Sequence, residues 1–143
     1  MNNIRIETGG IRLTVNGDES RVIAFNPNDI SFAERYYDLL SRADQRIDAY
    51  AAREAELDKD TAVDAYGVPT NMPARMALLR EAYDYVKSEI DMVFGEGTSK
   101  AAFGDAYLLD MFQQFFDGIT PYIQKARAGK MSKYSGSKAR VSK

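Results

Sequence analysis

Any chemistry in this chain has to be done with carboxylates, hydroxyls and amines, because its 143 residues include no cysteine and no histidine. Thiolate nucleophiles, thiolate metal sites and disulfides are thereby excluded, and the commonest general base and metal ligand is missing. Asp58, Asp60 and Asp64 alternate as in a calcium loop. The match fails where it matters: Ala62 holds the fifth position, Val63 stands where the sharp turn needs glycine, and Pro69 replaces the bidentate glutamate. A solvated acidic loop is the expectation. Gly95-Glu-Gly-Thr-Ser-Lys100 has the letters of a phosphate-binding loop in the wrong order, with the lysine last and a helical pattern in front instead of a strand. The carboxylates Asp84, Glu89, Asp91, Asp105, Asp110 and Asp117 look dispersed along outer helix faces; a hydrolase could pair two of them, but no signature identifies such a pair. Neither an enzyme nor a cofactor is expected.

What the second of these stretches can do is turn the chain. Glycine costs about 1 kcal/mol relative to alanine inside a helix, so Gly95 and Gly97 interrupt one. Thr98 and Ser99 can then cap the next turn by accepting backbone N–H bonds. We read Phe94, Gly95, Gly97, Thr98, Ser99, Phe103, Gly104 and Asp105 as a structural corner between two helices, with Phe94 and Phe103 packed behind it.

The elements around this corner follow from periodicity. Ile4 and Ile6, then Ile11, Leu13 and Val15, alternate with polar residues, and Asn16-Gly17 leads into Arg21–Phe25, a hairpin signal. A small antiparallel sheet is expected over 3–25. Ser31 or Asp29 can cap the next helix, Ser31 and Glu34 fitting a capping box, and Phe32, Tyr36, Leu39, Ala43, Ile47, Tyr50 and Leu57 form a stripe on a helix over 31–57. Met72, Met76, Leu79, Tyr83, Val86, Ile90 and Val93 repeat at fours and threes on a second helix, 73–94, with Pro73 near its start. A third stripe, Phe103, Tyr107, Met111, Phe115, Ile119 and Tyr122, marks a helix over 101–125 that Gly118 and Pro121 should kink or end. Leu108, Phe112, Phe116 and Ile123 widen it, so this helix should be the most buried or hold an interface.

The predicted fold class is α+β, mostly α: an N-terminal hairpin or small sheet, then a bundle of about three helices. Residues 1–127 make one domain, and the Gly-, Ser- and Lys-rich stretch 128–143 reads as a flexible, disordered basic tail. From Lys125 onward there are seven basic and no acidic residues, which leaves positions 1–124 with 12 basic against 21 acidic, a net −9. No basic, apolar leader opens the sequence, and no window approaches the roughly 18 apolar residues of a membrane span. Neither a signal peptide nor membrane insertion is expected.

Three stretches are similar to the small tail assembly chaperones of long-tailed bacteriophages. Val22–Arg35, VIAFNPNDISFAER, resembles that family's strand-to-helix entry, and Ile90–Asp105, with FGEGTSK, its internal corner. The aromatic helix ending Thr120-Pro-Tyr-Ile-Gln124 is similar too, so the likeness spans 11–124 as spaced matches. The resemblance implies a non-enzymatic assembly factor in the cytoplasm of the infected bacterium. It would bind the long helical tape-measure protein, keep it soluble, help recruit tail-tube subunits, and be left out of the finished particle. In that family a frameshift often adds a second domain where the basic tail sits here.

Excess apolar width makes Phe112, Phe115, Phe116, Ile119 and Tyr122 the expected partner surface, with Phe116→Asp expected to spare the fold and abolish binding. A homo-oligomer is a further expectation, and the edge strand of the hairpin offers one route to it. Two other classes remain open. One is a structural head–tail connector or tail-completion protein. The other is a nucleic-acid-binding regulator using Lys125–Lys143, although only Tyr134 interleaves that run and no folded basic motif accompanies it.

Overall fold

Asn16 and Gly17 both take left-handed backbone angles, φ 53° and 74°, and so form the two-residue turn whose twist matches paired strands. They join β1 (Ile11–Val15) to β2 (Asp18–Phe25). Ile11 lies opposite Phe25 and Leu13 opposite Ile23, with a bulge between Thr14 and Val15. The sheet has these two strands only among the residues described. The computed structural model describes the backbone of residues 1–108 and 110–141, and side chains as far as Ala128 with Leu109 excepted.

Ile4 and Ile6 do not join the sheet, although their alternation matches β1; both are largely exposed, at 84% and 75%. The reason lies at Thr8 and Gly9. Asn26 Nδ2 donates to the Thr8 carbonyl and Asn28 Nδ2 to that of Gly9 at 3.3 Å, carrying the chain past Phe25 rather than back along β1. Gly9 sits at φ 76° against the Asn28 side chain, so any β-carbon there would collide with it.

Helix α1 (Ile30–Asp58) starts two residues earlier than Ser31 as the cap would place it, and the other candidate cap, Asp29, is the one used. Asp29 is the N-cap, accepting from Ser31 N at 2.9 Å, so Ser31 already lies inside the first turn. Asp64 folds the following loop on itself by accepting from Tyr66 N and Val68 N, and Val63 bridges to Pro69. Helix α2 (Met72–Phe94) then returns alongside α1. The cross-ties Arg42–Glu89, Arg53–Glu81 and Asp58–Arg75 rise in one helix as they fall in the other, so the pair is antiparallel.

The expected third helix is two. A six-residue α3 (Thr98–Phe103) ends at Gly104, whose φ of 60° leaves helical space, and α4 (Met111–Val141) begins seven residues later. Helix α4 then continues through both Gly118 and Pro121 instead of stopping. The basic tail expected over 128–143 falls, in its side chains and its last two residues, outside the described residues, while the α4 backbone reaches Val141.

The core gathers Ile23 and Phe25 of the hairpin, Phe32, Tyr36 and Leu39 of α1, Val86, Ile90 and Val93 of α2, and Phe115, Ile119 and Ile123 of α4. Phe94 is its aromatic hub. Its ring centroid lies 5.1 Å from Phe32, 5.3 Å from Phe115, 5.7 Å from Phe25 and 6.0 Å from Tyr36, edge-on to all four. Edge-to-face pairs add about 0.5–1.5 kcal/mol each beyond burial.

Candidate functional site

The corner forms as a unit, by a different chemistry from the one its residue types suggested. Gly95 and Gly97 take φ values of 118° and 90°, open only to glycine at low cost. Thr98 and Ser99 are buried and act as donors rather than caps. Thr98 Oγ1 donates to the Gly95 carbonyl at 2.8 Å. Ser99 gives its backbone N–H to Asp91 Oδ1 at 2.8 Å and its hydroxyl to Asp91 Oδ2 at 3.0 Å. Asp91 thus holds α3 against the end of α2, and is not a dispersed surface carboxylate. Lys100 pairs with Asp105 outside, and Phe103 packs on Phe112 and Phe115 inside. Arg21 of β2 locks the far side, Nε donating to the Ala101 carbonyl and Nη2 to that of Ala102, both at 2.8 Å. Sequence reasoning missed Arg21, and nothing near it in the chain points to residues eighty positions away.

The five residues expected to form one partner surface are divided. Phe115 and Ile119 are buried in the core, with little surface left exposed. Phe112 and Phe116 line a groove of about 490 Å³ between α1, α2 and α4, with Leu40, Ala43, Ile47, Tyr50, Tyr83 and Val86 as its other apolar walls. Tyr122 belongs to a second groove, about 640 Å³, between the hairpin and α4, where Leu13, Val15, Met111 and the edges of Phe115 and Ile119 also reach the wall. Phe116 is not a free surface ring either. It packs 6.2 Å from Tyr36 and 5.5 Å from Phe115, and so Phe116→Asp is expected to unsettle the fold. Ile47, 58% exposed on the first groove, is the better probe.

The sequence stripes end where this groove begins. Tyr36, Leu39 and Ala43 of α1 are buried, whereas Ile47 faces the opening. On α2, Leu78 is buried while Met76 and Leu79, the periodic positions, are exposed. The rim carries Asp44, Arg46, Gln113 and Asp117, with the Arg46 guanidinium 4.5 Å above the Tyr85 ring.

Beneath the groove floor Tyr36 shares a 2.7 Å hydrogen bond with Thr120 and donates to the Phe116 carbonyl at 3.3 Å. Burial pushes its phenol above the ordinary value of 10.0, against the opposing effect of the Thr120 bond. A pKa raised by folding means the unfolded chain ionises first. The contribution is therefore complete below pH 10.0 and lost as pH climbs from there through the folded-state value. Thermal melts taken through this alkaline window should show a falling midpoint in the native protein and a shallower fall in Tyr36→Phe. Equal slopes would assign the loss to other groups, among them Tyr107, whose phenol is raised chiefly by its hydrogen bond to Asp84.

No group of three or more carboxylates capable of holding a metal occurs among the described residues, and no described helix is long and apolar enough to cross a membrane. Fold and grooves together define a small, mostly helical α+β protein whose distinctive surfaces are apolar clefts. A model described as a family of unknown function (DUF6673) matches residues 16–143, and the chain belongs to that family. Comparison with curated proteins and with solved structures found no match.

Proposed function

We propose that this protein is a non-enzymatic assembly chaperone of a long-tailed bacteriophage, and that the cleft between α1, α2 and α4 receives an apolar helix face of the tape-measure protein. The observation that carries the reading is the unfilled apolar cleft. Leu40, Ala43, Ile47, Tyr50, Val86, Phe112 and Phe116 line it, and charged groups are confined to the rim. The sequence likeness to small tail assembly chaperones supports the same conclusion and supplies the partner.

The mechanism is one of cover. A long amphipathic helix awaiting enclosure exposes a continuous apolar stripe, and stripes of that kind associate with one another. Side chains at i, i+3, i+4 and i+7 of such a helix can enter a groove of this shape, which is the helix-in-groove mode of recognition. Asp44, Arg46 and Asp117 would set register by pairing with charges beside the stripe. Recruitment of tail-tube subunits follows as a second contact made while the partner is held extended.

Co-expression with the tape-measure protein of the same phage tests this. The partner should become soluble and co-purify with more than one copy of this chain. Ile47→Asp should melt within about 0.5 kcal/mol of the native protein, as exposed substitutions do. It should nevertheless bind at least about tenfold more weakly, the equivalent of 1.4 kcal/mol. Unchanged co-purification by a folded Ile47→Asp protein would remove the cleft from the interface. An insoluble partner beside closed assemblies of this chain alone would favour a structural connector instead.

A further inference from the structure

Residues 1–8 belong to no helix or strand, are exposed along their whole length and are unpaired with any described strand, yet their sequence carries the pattern of one. Ile4 and Ile6 share one face, while Arg5 and Glu7 share the other and meet at 2.9 Å. Two neighbouring features match this segment. Among the described residues the sheet contains only β1 and β2; α3 packs on β2, and Arg21 ties β2 to it, whereas the outer edge of β1 has no strand partner. The hairpin face bearing Leu13 and Val15 opens on the second groove, where Met111 and Tyr122 add apolar wall beside the polar Asn16, Arg21 and Gln114.

We infer that residues 1–8 of one copy add as a third, antiparallel strand to the β1 edge of a second copy, seating Ile4 and Ile6 over the hairpin–α4 groove. Charge and side-chain parity select the register. Placing Ile6 opposite Leu13 puts Ile4 opposite Val15 on the groove side, because directly opposed residues share a face. On the outer face Glu7 then meets Arg12, and Arg5 meets Thr14. The parallel arrangement with Ile6 opposite Leu13 would set Arg5 against Arg12, as would the antiparallel one with Ile6 opposite Ile11, and like charges in that position are unfavourable.

The same register could in principle close within one chain, by a tight turn at Gly9-Gly10. The observed root of the segment opposes it. The Thr8 and Gly9 carbonyls are held by Asn26 and Asn28, beyond the Phe25 end of the sheet, so folding back along β1 would release both bonds. The segment therefore leaves its own sheet and reaches for another. The backbone ladder supplies affinity and the two isoleucines supply fit, as in strand addition to an exposed edge. Reciprocal exchange closes a dimer, and one-way exchange builds a ring or a chain. This association holds whether or not the tape-measure reading does.

Because the protein has no cysteine of its own, thiols can be placed at will. Glu7→Cys and Arg12→Cys variants, both at exposed positions, are mixed and mildly oxidised, and the products are separated without reductant and weighed by mass spectrometry. The expected result is a disulfide-linked heterodimer of the two variants, far above the yield from Glu7→Cys mixed with Asp60→Cys, whose thiol lies on the distant loop. The Glu7→Cys, Arg12→Cys double variant should likewise give covalent multimers. A double variant that oxidises only within the chain would overturn the proposal in favour of closure in one copy. Free thiols throughout, or equal yields with the loop variant, would overturn it altogether.

Discussion

Phe94→Ala lowers stability by about 3 kcal/mol, the low end of the range for a core phenylalanine because the ring is only partly enclosed. Four aromatic rings from four different positions surround Phe94, those of Phe25, Phe32, Tyr36 and Phe115. Removing it takes one partner from each of four pairs and opens a void between the hairpin and α4. The void cannot collapse readily, since Gly95 fixes the backbone immediately beyond at an angle no other residue takes comfortably. For a domain of this size a loss of 3 kcal/mol corresponds to a fall in melting temperature of roughly 10 °C. Tyr66→Ala, a change of similar chemistry on the exposed loop, should stay within about 0.5 kcal/mol. Urea titration of the two variants beside the native protein decides the matter. A Phe94→Ala midpoint close to that of Tyr66→Ala would mean that the hub carries little of the packing energy.

Asp91→Ala is expected to cost about 1–3 kcal/mol, through the donors it abandons rather than through lost volume. Ser99 is buried, and both its N–H and its hydroxyl end on the Asp91 carboxylate. With the carboxylate gone, both donors lose the acceptor they share. Ser99→Ala removes only the hydroxyl and should cost less. Combining the two should cost less than the sum, with a coupling of at least about 0.5 kcal/mol, as for partners in one hydrogen-bonded network. Strict additivity in a double-mutant cycle would show that Asp91 does not act through Ser99. Hydrogen exchange offers a second readout: amides of α3 should lose protection in Asp91→Ala while those of α1 keep theirs.

The parts of the fold that could be read from sequence are those fixed by neighbours in the chain. Asn16-Gly17 specifies its turn locally, and the stripes of α1 and α2 place both helices to within a residue at each end. The third stripe misled because its spacing continued by coincidence across a segment that is not helical. Tyr107 fits the period, but its ring leaves to stack on Tyr83 at 6.1 Å, and its hydroxyl reaches Asp84 of α2. Ile4 and Ile6 have the alternation of a strand, yet the side chains of Asn26 and Asn28 steer the backbone elsewhere. Both outcomes depend on side chains about twenty residues distant, which no window records.

The candidate site was legible only in outline. The apolar excess of the last helix does mark it as serving more than one neighbour. Which positions face the core is decided by Tyr36, Phe94 and the hairpin, all contributed by other elements. Hence Phe115 and Ile119 go inward, whereas Phe112 and Phe116 reach one cleft and Tyr122 the other. Arg127, counted among the basic residues of the C-terminal end, is likewise committed inward. Its Nη2 donates to the carbonyls of Pro27 and Asn28 at 3.1 and 2.9 Å.

The bond between Tyr36 and Thr120 spans 84 residues, and it sets a timetable for synthesis. Until α4 has emerged from the ribosome, the aromatic faces of Phe25, Phe32 and Tyr36 lack their lid. At about 5–20 residues per second the interval between the two bonded residues lasts roughly 4–17 s, long enough for uncovered apolar surface to find other chains. Helices α1 and α2 can pair in that time, because their cross-ties are local to a helical hairpin. The β-hairpin turn and the hydrogen bonds of the corner also lie upstream of α4, and of the corner only the aromatic faces of Phe94 and Phe103 must wait for Phe112 and Phe115. A chain cut short before Met111 would therefore hold its two long helices together and still present the surface that the last helix exists to close.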